Sequence, residues 1–232
     1  MNEAYSTKFF ADQASGSTRS AMSLLPPIVE KLKPQSVLDV GCGVGTWAKV
    51  AVDAGVPRVM GIDGDYVDDS GLLIEPSSFL PVDLEHLEDI NLGEFDLVVC
   101  LEVAEHLHPD CAVQLIDFLT RSSDVVLFGA AIPGQGGVNH KNERWQSYWA
   151  GMFRRRQFAS IDFIRPKYWN SNVEPWYVQN TILYARDPKK ISKKLGLSAD
   201  FHERALFPLD IVHPELFSRK MKVGRRWLTI PR

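Results

Sequence analysis

Short apolar runs alternate along this chain with amphipathic or polar stretches, and the alternation begins in earnest at Ser36. Val37-Leu38-Asp39-Val40, Val59-Met60-Gly61-Ile62, Phe79-Leu80-Pro81-Val82, Phe95 to Leu101 and Asp124 to Gly129 are β-rich runs of strand length. Between them, Thr46 to Ala54 reads as a helix stopped by Gly55 and Pro57, and Cys111 to Leu119 as an amphipathic helix started by Pro109-Asp110. Strands that alternate with helices predict a parallel sheet covered on both faces. Ser160 to Ile164 and Gln179 to Ala185 are predicted to add strands six and seven.

The flanks are less regular. Ser15-Gly16-Ser17-Thr18 reads as a turn capping a helix over Arg19 to Lys33, with Met22, Leu25, Ile28, Val29 and Leu32 at helical spacing and Pro26-Pro27 as a break or new start. Residues 66–78 are acidic and loop-like, lying either beside a bound ligand or, the plainer expectation, in solvent. Beyond Arg186 a Lys-rich stretch and a tail without clear period follow, whose basic surplus either meets an acidic substrate or partner or, the usual case, forms a charged face in water. The chain is therefore divided into a helical cap over 1–34, a main domain over 35–187 and an extension over 188–232 packed on that domain.

Composition narrows the function. With 232 residues and a formal net charge of −3, the chain has no basic field suited to nucleic acid. Cys42, Cys100 and Cys111 lack metal-type spacing and read as reduced thiols, and no run approaches a membrane span, so the expectation is a cytoplasmic protein. Its expected partner is a small-molecule substrate, with no nucleic acid and no membrane.

The most informative stretch is Asp39-x-Gly41-x-Gly43-x-Gly45, where a strand enters a Gly-rich turn and then a helix. Glycine lets the backbone turn sharply and approach a ligand. The Lys-Ser/Thr of a P-loop is missing, and the third spacing differs from G-x-G-x-x-G.

This stretch resembles the first motif of class I S-adenosylmethionine (SAM) dependent methyltransferases, and later runs continue the resemblance. The second run ends at Asp63, the third at Asp83-Leu84, and the fourth leads into Glu102-Val103-Ala104-Glu105-His106-Leu107. The resemblance implies SAM as cofactor on a doubly wound, seven-stranded, mostly parallel sheet with an N-terminal helical lid and a C-terminal extension. It implies a cofactor rim of Asp39, Gly41, Gly43, Gly45, Asp63, Gly64, Asp83, Leu84, Leu101 and Glu102. There Asp63 holds the ribose diol, since a carboxylate accepts two hydrogen bonds. Asp83-Leu84 stands at the adenine position.

Ile132 to Trp149, a Gly-rich loop running into an aromatic helix, resembles a bacterial subgroup found with sugar, polysaccharide and small natural-product pathways. It is the expected acceptor pocket. Asn139 and Asn142 would orient polar groups, Trp145, Tyr148 and Trp149 would give aromatic walls, and Trp176, Tyr177 and Tyr5 would close the site, with Phe9 and Phe10 as further lid candidates. His140 and His106 are the candidate bases for a hydroxyl acceptor. Glu102, Glu105 and His106 would share a helical face at i, i+3, i+4 spacing. That trio also resembles the Glu-x-x-Glu-His of metal-dependent O-methyltransferases, which implies magnesium on these side chains with His140 as the later ligand. The surroundings of His140 differ from those families, and no metal is assigned.

Strand four lacks the Asp/Asn-Pro-Pro-Tyr and Pro-Cys sequences of DNA base methylation. The leading expectation is transfer of methyl to a small molecule in a biosynthetic pathway, to oxygen before nitrogen. Two alternatives are a SAM cyclase forming azetidine-2-carboxylate with methylthioadenosine, and a SAM-binding module without turnover. The sequence carries no indication of oligomeric state.

Overall fold

The computed structural model describes residues 7–198, 200–201 and 208–224, with the side chains of 7–15, 69 and 221–224 outside that description. Tyr5 lies outside the described residues, as do the side chains of Phe9 and Phe10. The strands are β1 (Ser36–Val40), β2 (Arg58–Asp63), β3 (Phe79–Pro81), β4 (Leu97–Leu101), β5 (Val125–Gly129), β6 (Ala159–Ile161) and β7 (Ile182–Ala185). They form one sheet in the order β3-β2-β1-β4-β5-β7-β6. β1 pairs in parallel with β2 and β4, β4 with β5, and β7 is antiparallel to both β5 and β6. The strand order reverses between β1 and β4, and a fold of this kind binds ligands beyond the carboxyl ends of the strands at such a reversal.

Each central strand is buried on both faces, which is why its sequence is a continuous apolar run rather than an alternating one. Val37, Leu97, Val99 and Leu127 meet α1 (Thr7–Leu32) and α2 (Thr46–Asp53) in one core. Leu38, Val98, Cys100 and Phe128 meet α3 (Ala112–Ser122) and α4 (Gln146–Arg155) in the other.

The N-terminal stretch departs from expectation. No turn forms at Ser15 to Thr18, and Pro26 and Pro27 lie inside a single helix of 26 residues. The Ser20 and Ser23 hydroxyls donate back to the carbonyls of Gly16 and Arg19, so this turn-prone composition is absorbed into the helix. A proline inside a helix costs about 3 kcal/mol or more. Leu24, Leu25, Ile28, Val29 and Leu32 are all buried, and each such burial stabilises by about 1.5–3 kcal/mol, so packing wins. Met22, expected on the apolar face, is instead 64% exposed.

Two further boundaries shift. β6 stops at Ile161, and Ile164 opens α5 (Ile164–Tyr168). Gln179 and Asn180, expected in strand seven, end α6 (Pro175–Asn180), so their amides face the site instead of joining the ladder. α7 (Pro188–Lys194) and α8 (Pro214–Gly224) follow β7. Among the described residues, no helix is long and apolar enough to cross a membrane.

Candidate functional site

At the ends of β1 and β2 the Gly-rich turn wraps over the neighbouring strand: the amides of Gly41 and Cys42 donate to the Ile62 carbonyl at 2.8 and 3.1 Å. Gly41 has φ +74°, and a Cβ there would fall 2.3 Å from Val103 Cγ2. Only glycine fits that position, which lets the turn close onto the segment after β4. Asp63 is buried at the end of β2; one oxygen accepts from the Gly43 amide and the other from the Gly64 amide, both at 2.7 Å. The Tyr66 hydroxyl also donates to Asp63, and its ring lies across Gly64. Tyr66 thus occupies a donor position that a ribose hydroxyl would need. The 66–78 stretch is not merely solvated, since Leu73 donates to the Val44 carbonyl and the Ile74 side chain packs under Gly45.

Asp39 is buried and accepts from the Ala48 amide at 3.0 Å, holding the first turn of α2. Burial raises its carboxyl to about 7, against the Ala48 hydrogen bond and with help from the Asp63 charge. Leu84 and Leu101 are buried beside this rim. Asp83 is placed differently from the other acids: its side chain is 65% exposed, it accepts from the Glu85 amide, and it pairs with His86 at 2.7 Å.

The other half of the rim follows β4 and β5. The run Glu102 to His106 is a turn, not a helix, and Glu102 sits in the left-handed region at φ +56°. The shared helical face expected for Glu102, Glu105 and His106 therefore does not exist. Glu102 instead accepts from Asn180 Nδ2 at 2.8 Å and Gln135 Nε2 at 3.2 Å. Burial lifts its carboxyl to about 7, while these two amides and Glu105 oppose the rise. Glu105 is fully buried, and neither of its oxygens has a hydrogen-bond partner. Burial, and then the charge of Glu102, push its carboxyl far above the ordinary range.

The Glu105 carbonyl accepts from the amides of Lys141 and Asn142 at 2.7 and 3.0 Å, drawing the segment after β5 onto the turn after β4. His106 and His140 consequently meet edge to face, with ring centroids 4.8 Å apart. Burial first, then the His140 charge, lower His106 to about 4, so its imidazole is neutral at ordinary pH. His140 Nδ1 lies 2.9 Å from Glu143 Oε1. Glu143 also accepts from the Gly134 and Gly136 amides, both at 2.7 Å. Burial raises the Glu143 carboxyl, but His140 and the two amides outweigh it and hold the group below its usual range, hence ionised. Nε2 of His140 rests against Gly137, where a Cβ would stand 2.2 Å away. Glu105, His106 and His140 offer ligand atoms within 4.8 Å of one another, the one grouping of this kind among the described residues.

The expected acceptor residues divide. Asn142 is buried, donates to the Ala104 carbonyl at 3.4 Å and accepts from Arg144 Nε at 2.9 Å, so it braces the backbone. Asn139 takes a left-handed φ of +59° at the bend before His140. Tyr148 lies under the Arg144 guanidinium, Trp145 is exposed beside it, and Trp149 is buried on Phe128 as core. Tyr177 is buried, packs at a tilt on Trp47 with ring centroids 5.3 Å apart, and donates to Ser17 Oγ at 3.2 Å, joining α6 to α1. Its neighbour Trp176 is half-buried, with the Arg219 guanidinium 6.0 Å from its ring.

Several contributors were not singled out from the sequence: Tyr66, Gln135, Glu143, Gln179 and Asn180. The available signal was a pair of amides, Gln179-Asn180, set directly before an apolar strand that gives them no reason to be buried.

Comparison with known proteins bears on the family and the fold. A family model described as a methyltransferase domain matches residues 12–172. A ubiquinone biosynthesis O-methyltransferase from Methylococcus capsulatus is 33% identical over 89 residues, which are 35% of this chain and 36% of that protein. The chain thus spans about a third of the length of that curated relative. An amino pentose methyltransferase from Micromonospora echinaspora, solved with SAM bound, superposes with a TM-score of 0.56 at 13% identity, covering 80% of this chain and 99% of that one. Magnesium protoporphyrin IX methyltransferase from Synechocystis, also solved with SAM, gives 0.53 at 18% identity over 79% and 85% of the two chains. An O-methyltransferase family protein from Burkholderia thailandensis gives 0.54 at 14% identity over 77% and 57%. With more than half its length matched, the chain belongs to the methyltransferase-domain family, in the class I fold of SAM-dependent methyltransferases.

Proposed function

We propose that the protein transfers a methyl group from SAM to a hydroxyl of a small molecule in a biosynthetic pathway. The observation that carries this reading is the His140–Glu143 pair, placed on the β5 segment where it meets the turn after β4. The Gly41 cradle and the amide-held Asp63 fit an adenosyl ligand, because they offer close backbone approach beside a carboxylate suited to a diol. Asp63, Gly64 and the Gly41–Gly45 turn would hold SAM, which supplies an electrophilic methyl group.

The chain's own residues then have to position a hydroxyl and take its proton. Glu143 holds the Nδ1 side of His140, which leaves Nε2 as the proton acceptor, and the ionised carboxylate stabilises the imidazolium that results. His106, kept neutral, does not compete for that charge. Oxygen is favoured over nitrogen because a hydroxyl needs such a base. The divisions 1–34 as cap, 35–187 as cofactor domain and 188–232 as an extension packed on that domain belong to this reading.

A second reading of the same residues is supported by the buried, unpartnered oxygens of Glu105. Burial holds the Glu105 carboxyl protonated, so a divalent cation seated among Glu105, His106 and His140 would displace that proton and take a carboxylate and two imidazoles as ligands. Such an ion would supply Lewis acidity to an acceptor oxygen. Glu102 does not join this set, since its oxygens are taken by Asn180 and Gln135.

The test is incubation with SAM, with and without a panel of hydroxylated small molecules, before and after chelation. S-adenosylhomocysteine that forms only with an acceptor supports methyl transfer, whereas methylthioadenosine formed from SAM alone contradicts it. Loss of turnover on chelation, restored by a divalent cation, selects the metal reading.

A further inference from the structure

The segment from Leu209 to Gly224 lies outside the alternating fold, yet it is fastened to the acceptor side by buried groups. Arg165, fully buried, donates to the Leu209 carbonyl at 2.7 Å. Asp210 accepts from the Ser147 amide and hydroxyl, both at 2.7 Å, at the first turn of α4. Buried Gln146 donates to the Ile211 carbonyl at 3.2 Å. The His213 amide donates to Gln179 Oε1 at 2.7 Å, and Gln179 in turn donates to Gln135 Oε1 at 3.1 Å. Gln135 is the residue that holds Glu102. The extension is thereby linked through two amides to the centre of the site.

From this anchorage α8 projects Lys220 back onto the Gly-rich loop after β5. A Cβ on Gly136 would lie 2.3 Å from Lys220 Nζ, so the ammonium rests on the bare face of that glycine. On the next residue, Gly137, the same construction meets His140 Nε2. Consecutive Cα atoms are about 3.8 Å apart. The cation and the proposed base therefore flank adjacent residues of one turn, within the span of a single small molecule. Lys220 is exposed and forms no ion pair with any described residue. Nearby cations are already engaged, Arg219 with Glu215 and Arg144 with Asn142 and the Tyr148 ring. Glu143 is filled by two amides and His140.

We propose that Lys220 over Gly136 is an anion subsite of the acceptor pocket, and that the acceptor carries a carboxylate or phosphate beside the hydroxyl presented to His140. This deepens and rests on the methyltransfer reading above. An ammonium on an exposed stem recognises an anion as a point charge with three donors, which suits either group.

The test reads binding rather than turnover, so a protein inactive with every acceptor tried would sink the preceding reading without deciding this one. Full-length protein saturated with S-adenosylhomocysteine is titrated calorimetrically with inorganic phosphate and, separately, with benzoate at constant ionic strength. The expected result is binding of at least one probe, weakened about five- to tenfold in Lys220→Met, retained in Lys220→Arg and unaltered in Lys193→Met on α7. Which probe binds tells carboxylate from phosphate. Equal affinity in wild type and Lys220→Met, or no binding of either probe to the wild type, overturns the proposal. A fall in S-adenosylhomocysteine affinity in Lys220→Met also overturns it, because the ammonium would then serve the cofactor's own carboxylate.

Discussion

The rim beyond β1 and β2 and the rim beyond β4 and β5 lie side by side but are assembled differently. The first is local: Asp39 reaches Ala48, and Asp63 reaches its own neighbour Gly64 and Gly43 in the adjacent turn. The second is distributed: Glu102 is held by Gln135 and by Asn180, which stands 78 positions away, and Gln179 is tied to His213 in the extension. Shape and backbone amides dominate the first, whereas titratable side chains dominate the second. On the proposed reading the first serves the cofactor and the second the acceptor.

Several measurements would sharpen or break that contrast. The largest effect is expected in the distributed half, where His140→Ala should cut turnover by about 10²- to 10⁴-fold while SAM affinity is preserved. Glu143→Gln should fall in the same direction with an altered pH–rate profile, and Glu143→Asp should recover part of the loss. Equal loss of SAM affinity in these variants would mean the two halves are not separable. In the local half, Asp63→Ala removes a charged acceptor worth about 1.5–3 kcal/mol per hydrogen bond, so SAM should bind roughly ten- to a hundredfold more weakly by calorimetry. Unchanged affinity would dismiss the ribose role of Asp63.

Gly41→Ala should destabilise the fold by about 1–3 kcal/mol in chemical denaturation, through its left-handed φ and the collision with Val103. A neutral outcome would show that the turn is free to move away from Val103. A separate expectation, read as a slope and not as the effect of one substitution, concerns the stability of the SAM-free protein. The Asp39 carboxyl is raised from 3.8 to about 7 in the folded state, so between those values the unfolded chain releases a proton that the folded chain retains. Stability should therefore fall as pH rises from about 4 to 7 and level off above, with Glu102 acting in the same sense. Asp39→Asn should flatten that curve while weakening SAM binding, and an unchanged slope would mean that Asp39 does not titrate in this window.

The same division explains what the sequence disclosed. The seven strands, their parallel core and the Gly-rich turn are written in contiguous residues, apolar runs ending in Asp39-x-Gly41 or Asp63, and were legible without coordinates. Pro26-Pro27 misled because intrinsic preference favours a break there, whereas the burial of Leu24, Leu25 and Ile28 decides otherwise. His106 and His140 stand out in the sequence as residue types, but the helical face expected for Glu102, Glu105 and His106 does not form, because Glu102 takes a left-handed φ. Glu143, Gln179 and Lys220 were not identified, since their importance arises only from partners brought close by the fold.

The most direct test is a crystal structure of the complex with S-adenosylhomocysteine. The account predicts the ribose on Asp63 in place of the Tyr66 hydroxyl, the amino-acid end along the Gly41–Gly45 turn, and the sulfur directed toward His140. A nucleoside bound away from Asp63, or a sulfur facing away from His140, would contradict it.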